Sequence, residues 1–229
     1  MKTSTNRELP IVFGPEMHRA IREGRKTETR RLVKIPKWAE PGTVEEDNDC
    51  NGGLMAIYGK TGCFSAIKPR YQVGDRLWVK EAWRARDKFD DLKPVDIGKR
   101  VGKEVRYELD GVMSFEQKIP FTAGKLRSPL FMPYWAARTW LEVTGVRAER
   151  LQEITAEGAK AEGVYRIGLK WVAPGVMMTS VDGIKAMDWP CHSTAKEAFK
   201  TLWESVNGYR SWWENHWVRV YTFKLLEAR

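Results

Sequence analysis

The sequence predicts an α+β protein in which a small mixed β-barrel is flanked by short helices. Segments that alternate apolar and polar residues outnumber helical segments, and they are scattered among short helices. Two glycine-rich stretches, near 35–70 and 165–190, interrupt this pattern as long loop insertions. Hydrophobic residues make up 42% of the 229-residue chain, which is enough for a core. We therefore expect a single domain over residues 9–227 that carries both insertions.

The first predicted strand is the β-branched segment LPIVF at 9–13. A proline then opens a predicted helix over 15–23, and Gly24 suits the position just after a helix end. Further strands are predicted over 27–33 and, after a Gly-Asp turn, over 76–84. These elements give a β-α-β beginning that is followed by antiparallel strands.

The middle of the chain has a weaker pattern. The first insertion is expected to be irregular, with a possible hairpin over 54–67. A strand over 104–109 is predicted to end at an Asp-Gly turn, and residues 112–134 have the composition of a loop. The longest alternating segment, residues 138–150, predicts a long strand.

Two helices and a strand are predicted for the last third of the chain. One helix is expected over 155–163, where it stops at a glycine. A second helix is expected over 194–206, because Thr194 and Glu197 have the spacing of a capping box. Clean alternation over 217–225 predicts the closing strand.

The charge of the chain favours a polyanionic partner. Lys and Arg number 39 against 30 Asp and Glu, so the net charge is +9 and the pI is about 9.5. This balance indicates nucleic acid before membrane, although a basic protein without such a partner has the same composition. Most of the eleven tryptophans are expected to pack in the core, and a minority beside basic residues could stack on bases.

Other sequence signals concern compartment and cofactors. No apolar run approaches the length of a membrane span, and the N-terminus lacks the apolar region of a signal peptide. An odd count of three cysteines indicates free thiols and a reducing cytoplasm. Cys50, Cys63, Cys191 and His192 lack the paired spacing of a zinc site, so no metal is predicted. No glycine-rich phosphate motif is present, so no nucleotide cofactor is predicted.

Six motifs occur in an order that resembles the ASCH domains of the PUA-like β-barrel superfamily. They are GRKT, TRR, GDRLWV, RLQEIT, AEG and WVRVYTFK. The resemblance spans Ile11 to Lys224 and is greatest to long ASCH-type proteins of bacteriophages and prophages. It implies a PUA-like barrel with a cleft for RNA or a nucleotide, in the cytoplasm of a bacterium or of a phage-infected host cell.

One branch of this family consists of amidohydrolases that remove the acetyl group from N4-acetylcytidine. In that branch a lysine and a threonine lie in a G-R-K-T-x-T motif, and a glutamate lies in a later helix. The resemblance places these roles on Lys26 and Thr29 in GRKTET, and on Glu162 in GAKAEGV. This chain is much longer than those compact enzymes, so its insertions could reshape or cover the cleft.

Hydrolysis of an amide is consistent with these three residue types. Lys26 and Thr29 are three apart, so they can meet only if Lys26 lies in a turn after Gly24. A threonine nucleophile needs a base, and a lysine serves when burial or nearby cations lower its pKa. Glu162 could orient the lysine or carry a proton to the leaving amine. Each residue also has a structural explanation. Thr29 favours a strand, Lys26 complements the dipole of the preceding helix, and Glu162 is a solvated residue near a helix end.

The strand predicted over 76–84 interleaves basic and aromatic residues, which is typical of a surface that binds a nucleic acid backbone. Glu81 falls on the apolar face of this strand, so it must be paired or line a cavity, and it is the second candidate carboxylate. The residues expected to contact nucleic acid are Arg25, Arg30, Arg31, Arg76, Trp78, Lys80, Glu81, Trp83 and Arg84.

The sequence therefore leaves several functions open. The first is an ASCH-type module that binds RNA, single-stranded DNA or a modified nucleoside and removes an acyl group from a base. The alternatives are a binding module without catalysis and a phage accessory protein that binds other proteins. A ribonuclease is not favoured, because the three histidines have no spacing that suggests an acid–base pair. The oligomeric state is not indicated.

Overall fold

The computed structural model describes residues 6–35, 39–47, 54–59, 64–100, 105–107, 122–176 and 191–226. The fold is α+β, as predicted. Its strands are β1 (Glu8–Val12), β2 (Glu28–Leu32), β3 (Ala39–Asp47), β4 (Leu54–Gly59), β5 (Phe64–Ile67), β6 (Arg76–Lys80), β7 (Trp83–Arg84), β8 (Arg106–Tyr107), β9 (Trp140–Arg150), β10 (Tyr165–Ile167), β11 (Lys170–Val172), β12 (Cys191–His192) and β13 (Trp217–Leu226). Its helices are α1 (Pro15–Arg22), α2 (Pro94–Arg100), α3 (Ala156–Ala161) and α4 (Ala195–Asn207).

A five-stranded mixed sheet forms the centre of the molecule. Its strand order is β1-β6-β9-β13-β2, in which β1 and β6 are parallel and the other neighbours are antiparallel. All five strands lie in segments where the sequence predicted a barrel strand. Among the described residues the sheet is not closed, because no ladder joins β1 to β2. The two edge strands are linked by the side chain of Arg31, whose Nη2 donates to the carbonyl of Val12 at 2.9 Å.

Both faces of the sheet are covered by apolar layers. On one face, Val218 and Val220 of β13 pack with Phe199 of α4. On the other, Tyr221 and Phe223 belong to a second cluster that also includes Ile21 of α1. Because neighbouring residues of a strand point to opposite faces, β13 supplies both layers. Helices α3 and α4 therefore lie on one side of the sheet and α1 contributes to the other.

The insertions contain more regular structure than the sequence indicates. The predicted hairpin over 54–67 is confirmed by the antiparallel pairing of β4 with β5. Strand β3 pairs with β4, so the expected irregular insertion contains a three-stranded sheet. In the second insertion, β10 and β11 form a hairpin that pairs with β12. The rest of that insertion, residues 177–190, lies outside the described residues.

The strand predicted over 76–84 divides into two. β6 stays in the central sheet, whereas β7 leaves it and pairs with β8. Trp83 of β7 is fully buried in a separate apolar cluster and packs edge to face on Trp135. The same cluster includes Ile97 of α2, a helix that the sequence did not predict. Gly98 of this helix lies against the ring of Trp135, which a Cβ added at this position would overlap.

The three predicted helices are confirmed with small differences at their ends. The Thr194 hydroxyl accepts from the backbone of Glu197, and the carboxylate of Glu197 accepts from the backbone of Thr194. The predicted capping box therefore begins α4. Thr155 caps α3 by accepting from the backbone of Gly158 at 3.0 Å. Among the residues that the structure describes, none of the helices has the length and apolar character to cross a membrane.

Candidate functional site

A tight turn after α1 places Lys26 at the start of the central sheet. Gly24 adopts a φ of +74°, and the backbone amides of Arg25 and Lys26 both donate to the carbonyl of Ala20. A positive φ of this size favours glycine. The chain then enters β2, so Lys26 lies in the turn that the sequence analysis required.

Lys26 forms a buried ion pair with Glu162, the residue that ends α3. Its Nζ atom lies 2.5 Å from Oε2 of Glu162, and both side chains are almost completely buried. The same nitrogen donates to the backbone carbonyls of Glu28 and Glu162, each at 2.9 Å. Three acceptors therefore surround the ammonium group, one for each of its N–H bonds.

The other carboxylate oxygen of Glu162 is held by Arg30 on β2. Oε1 accepts from the backbone amide of Arg30 at 2.6 Å, and Nη1 of Arg30 lies 3.3 Å away. Glu162 thus joins the end of α3 to the edge of the central sheet. Lys26 and Glu162, which the resemblance places in the site, are 136 residues apart in sequence and are in direct contact.

Burial is the largest influence on the charge of Lys26. It lowers the pKa of the Lys26 amine below its usual value of 10.5, because desolvation penalises the ammonium form. The negative charge and hydrogen bond of Glu162 act in the opposite direction. The positive charges of Arg31 and Arg30 lower the pKa of Lys26 further. The balance favours a lysine that loses its proton more readily than one in water.

Thr29 lies on β2 opposite Tyr221 and is 3% exposed. It lines the same cavity as Lys26 and Glu162. Within the described residues, no hydrogen bond involves the hydroxyl of Thr29. The three residues predicted to be catalytic therefore line one cavity.

This space, which we call the Lys26 cavity, has a volume of about 430 Å³. Polar groups of β2 and α3 line it together with aromatic side chains, which are Phe13 after β1 and Phe199 and Trp203 of α4. A cavity with both polar and aromatic groups fits a flat polar ring, since aromatic side chains stack on such rings.

Arg30 does not have the exposed position expected of a residue that binds nucleic acid. It is 5% exposed, and its Nε donates to Glu149 at 2.7 Å. Its Nη1 also lies 3.4 Å from Glu28, and Glu28 in turn receives two hydrogen bonds from Arg147 at 2.8 and 3.0 Å. The charge of Arg30 is therefore neutralised by carboxylates, and its contacts with Glu162 help to hold the wall of the Lys26 cavity in place.

The other two arginines of this segment differ from each other. Arg25 is exposed, pairs with Glu23 and lies 5.1 Å over the ring of Tyr165. Arg31 lies over the ring of Phe13 and, as described above, donates to the backbone of β1. Arg31 lines the Lys26 cavity, whereas Arg25 does not. Only one of the two can therefore contact a ligand in that cavity.

The residues of the predicted strand 76–84 that were expected to bind nucleic acid do not line the Lys26 cavity. Arg76 lies 4.0 Å from Glu8, and Lys80 and Arg84 donate to backbone carbonyls. Trp78 is 8% exposed and contacts Tyr134. Trp83 has no exposed surface, so the base-stacking role expected for it is not compatible with its position. The burial arises because β7 turns away from the sheet into the α2 cluster.

Glu81 is paired, as expected for a carboxylate on an apolar face. It receives two hydrogen bonds from Arg138, at 2.9 and 2.8 Å, and lies 3.4 Å from Nδ1 of His18. Nε2 of His18 lies 2.9 Å from the hydroxyl of Thr139. This buried network lies outside the Lys26 cavity and connects α1 to β6 and β9.

The structure describes two of the four residues that were weighed as zinc ligands. The other two, Cys50 and Cys63, lie outside the described residues. Cys191 is exposed with a free thiol, and Nε2 of His192 lies 3.0 Å from the hydroxyl of Thr201. The described residues contain no group of three or more His, Cys, Asp or Glu side chains placed to hold a metal ion.

Comparisons of the chain with models of protein families, with curated proteins and with solved structures found no match. Functional inference therefore rests on the geometry of the site and on the motifs. Sequence reasoning missed the aromatic wall from α4 and the carboxylates Glu28 and Glu149. The alternation of β9 and the apolar face of α4 were visible in the sequence, but nothing in it indicated that Glu149 of β9 and Phe199 of α4 contact Arg30 of β2.

Proposed function

We propose that the chain is an ASCH-type protein with a PUA-like barrel that binds a nucleoside or nucleic acid and removes an acyl group from a modified base such as N4-acetylcytidine. The observation that carries this proposal is the buried contact of Lys26 with Glu162 in a cavity that Thr29 also lines. The aromatic wall formed by Phe199 and Trp203 supports a planar base as the ligand.

In the proposed reaction, the Thr29 oxygen attacks the carbonyl carbon of the acyl group while the neutral amine of Lys26 accepts the hydroxyl proton. The resulting tetrahedral intermediate collapses, and the bond between the carbonyl carbon and the exocyclic nitrogen breaks. The proton returns from Lys26 to that nitrogen, so the base leaves as an amine. Water then attacks the threonine ester and releases the carboxylic acid and the free hydroxyl.

Lys26 acts as a base in this scheme only after it has lost a proton. The burial that lowers its pKa favours that state. Glu162 has two functions in this scheme, since its Oε2 orients the amine and its Oε1 holds the backbone of β2 beside Thr29. The arrangement follows the general pattern in which a nucleophile is activated by a base that a third group orients.

A second candidate function is ligand binding without catalysis. The observation that favours it is the set of three hydrogen bonds to Lys26, which occupies every N–H of an ammonium group. A lysine bound in this way has no lone pair directed at Thr29. In such a module Lys26 would stabilise the junction between α3 and β2, and Thr29 would contribute only its shape and strand propensity.

Two substitutions of Thr29 separate these functions. Thr29→Val keeps the shape and the branched side chain but removes the hydroxyl, whereas Thr29→Ser keeps the hydroxyl and removes the methyl group. A hydrolase predicts that Ser retains measurable turnover and Val has none, although Val is the more stable variant. The assay is incubation with a panel of N4-acylated cytidines followed by mass spectrometry of the released bases.

The matched control is Thr27→Ala, which changes an exposed threonine two residues away. The backbone of Thr27 donates to the carbonyl of Ala161 and accepts from the amide of Phe223, and the substitution keeps both hydrogen bonds. It should retain wild-type turnover. If the more stable variant, Thr29→Val, turned over substrate faster than Thr29→Ser, the result would contradict a role for the hydroxyl. An absence of turnover in the wild-type protein, together with measurable binding of cytidine, would support the binding module instead.

A further inference from the structure

A second cavity adjoins the first and is strongly basic. It has a volume of about 420 Å³ and lies between the end of β2, the segment that leads from β5 to Tyr71, and β13. Among the residues that the structure describes, no acidic side chain lines it. Five described basic residues do, and they are Arg31, Lys34, Lys68, Arg70 and Arg219. We call this space the basic cavity.

Most of these cations form no direct ion pair in the part of the chain that the structure describes. No ion pair there involves Arg31, Lys34, Lys68 or Arg70. Arg31 instead donates to the carbonyl of Val12, and Arg70 lies 5.4 Å from the ring centre of Tyr71. The arginines around Glu162 are different, since Arg30 and Arg147 each contact carboxylates. The positive charge of the basic cavity is therefore available to an anion.

The two phenols in the basic cavity do not supply negative charge at neutral pH. Burial raises the pKa of both Tyr71 and Tyr221 above the usual value of 10. Tyr71 donates to the carbonyl of Pro10 at 2.8 Å, and the Tyr221 oxygen accepts from the backbone amide of Arg70 at 3.2 Å. These hydrogen bonds fix the segment that carries Arg70 against β13.

The guanidinium groups are held in place before any ligand binds. Arg219 is 3% exposed, and its Nη2 donates to the carbonyl of Ile67 at 2.9 Å. Arg31 is anchored to β1 by its hydrogen bond to Val12. The planar guanidinium group of arginine carries five N–H donors and matches the oxygens of phosphate. The basic cavity thus has the chemistry of a preorganised phosphate site.

The two cavities share Arg31 and Leu32 in their walls. Thr29 and Arg31 are two residues apart on β2, so their side chains leave the same face of the strand about 6.6 Å apart. A ligand whose base lies beside Thr29 would therefore place its next polar group at Arg31. In a nucleotide that group is the phosphate that follows the sugar.

We propose that the basic cavity binds the phosphate of a nucleotide whose base occupies the Lys26 cavity, so that the physiological ligand is a phosphate-bearing nucleotide and not a free nucleoside. This inference rests on the proposed function for the position of the base. Its test measures binding alone and needs no turnover, so its failure can be distinguished from failure of the hydrolase proposal.

The experiment is calorimetric titration of the wild-type chain with cytidine, cytidine 5′-monophosphate, cytidine 3′-monophosphate and a cytidine-containing tetranucleotide. We expect at least one phosphate-bearing ligand to bind about tenfold or more tightly than cytidine, since each hydrogen bond from a charged donor is worth roughly that factor. Preference for a monophosphate identifies a mononucleotide ligand, and preference for the tetranucleotide identifies a strand.

The variants Lys68→Gln and Arg70→Gln change two residues that line only the basic cavity. Together they should reduce the preference for phosphate over cytidine to near unity. If the ligand is a strand, they should also decrease the slope of log Kd against log salt by roughly 0.7, because the pair removes the contact to one phosphate. The control Lys88→Gln/Lys170→Gln removes the same charge from exposed positions that line neither cavity.

Equal affinity for cytidine and for all three phosphate-bearing ligands would overturn the proposal. So would an equal loss of preference in the control pair, because that result would assign the effect to net charge. Folding of each variant is checked by circular dichroism, and the single variants replace the pair if the pair does not fold. A preference retained by both folded single variants would likewise contradict the assignment.

Discussion

Replacing Glu162 with glutamine tests how the buried ion pair controls both stability and the charge of Lys26. The substitution keeps the size of the side chain but removes its negative charge. One amide atom is then an N–H₂ group, which must face either Nζ of Lys26 or the backbone amide of Arg30, and both of these are donors. At least one buried donor therefore loses its acceptor.

The expected loss of stability is large. Removing one partner of a buried ion pair costs about 3–5 kcal/mol, because the remaining charge is left without compensation. For a chain of this size, 1 kcal/mol corresponds to about 2–4 °C in Tm, so Glu162→Gln should lower Tm by roughly 6–20 °C. Glu157→Gln on the same helix is the control. Glu157 is exposed, 3.8 Å from Lys160, and should change stability by less than about 0.5 kcal/mol.

The assay is urea denaturation of the wild type, Glu162→Gln, Lys26→Met and the double variant. Because the double variant contains neither charge, its loss should be smaller than the sum of the two single losses by up to about 3 kcal/mol. Additive losses, or a Glu162→Gln loss as small as that of Glu157→Gln, would refute the conclusion that Lys26 and Glu162 form a coupled buried pair.

Three further predictions follow from other parts of the structure. Turnover at saturating substrate should rise with pH through a pKa below 10.5, and Arg31→Gln should move this limb to higher pH, because the charge of Arg31 lowers the pKa of Lys26; a pH–rate profile unchanged by that variant would contradict this coupling. Burial alone would raise the pKa of Glu28, but the hydrogen bonds and charge of Arg147, the charge of Arg30 and the hydrogen bond from Thr222 together lower that pKa below 4.5. The stability that this shift contributes is present above pH 4.5 and is lost as pH falls through the pKa of Glu28 in the folded protein. Arg147→Gln should therefore be less stable than wild type at pH 7. In acid denaturation curves, the difference in stability between the two proteins should become smaller as pH falls. Gly98→Ala should destabilise the chain by about 1–3 kcal/mol in urea titrations, because its Cβ would overlap Trp135, and a neutral result would show that the ring can move.

Regular elements could be predicted where local chemistry and periodicity agree. The capping box of Thr194 and Glu197 and the apolar face after it specify α4, and the alternation over 217–225 specifies β13. Helix α2 was missed because it is only seven residues long and includes Gly98 in its interior. That glycine is explained only by contact with Trp135, which is 37 residues away in the sequence. Long-range packing of this kind leaves no local signal.

The candidate site shows the same division. The turn at Gly24 and the position of Lys26 could be predicted because glycine marks the end of a helix. Arg30 was expected at the surface, since the sequence around it is highly charged. Its carboxylate partner Glu149 is 119 residues away, and only the pairing of β13 with both β2 and β9 brings the two together. Charge neutralisation across a sheet cannot be inferred from one strand.

The closed barrel remains a prediction. The five strands expected to form it are present in one sheet, and Arg31 connects the two edge strands through Val12.

Strand breaks also depend on distant residues, as in the separation of β6 from β7. There, the backbone amide of Glu81 donates to Sδ of Met132, and Arg138 binds the Glu81 carboxylate. These contacts end the sheet pairing at a position where the sequence alternation continues.

The acyl-enzyme itself provides the most direct test of the proposed chemistry. The chain is mixed with N4-acetylcytidine, quenched in acid within the first turnovers and digested with trypsin, and the peptide from Thr27 to Arg30 is sequenced by mass spectrometry. Cleavage after Lys26 and Arg30 isolates this peptide, which contains both Thr29 and the neighbouring Thr27. The account predicts an acetyl ester on Thr29 that disappears on further incubation and does not form in Thr29→Val. Release of cytidine without acylation of Thr29, or an acetyl group on Thr27 instead, would contradict it.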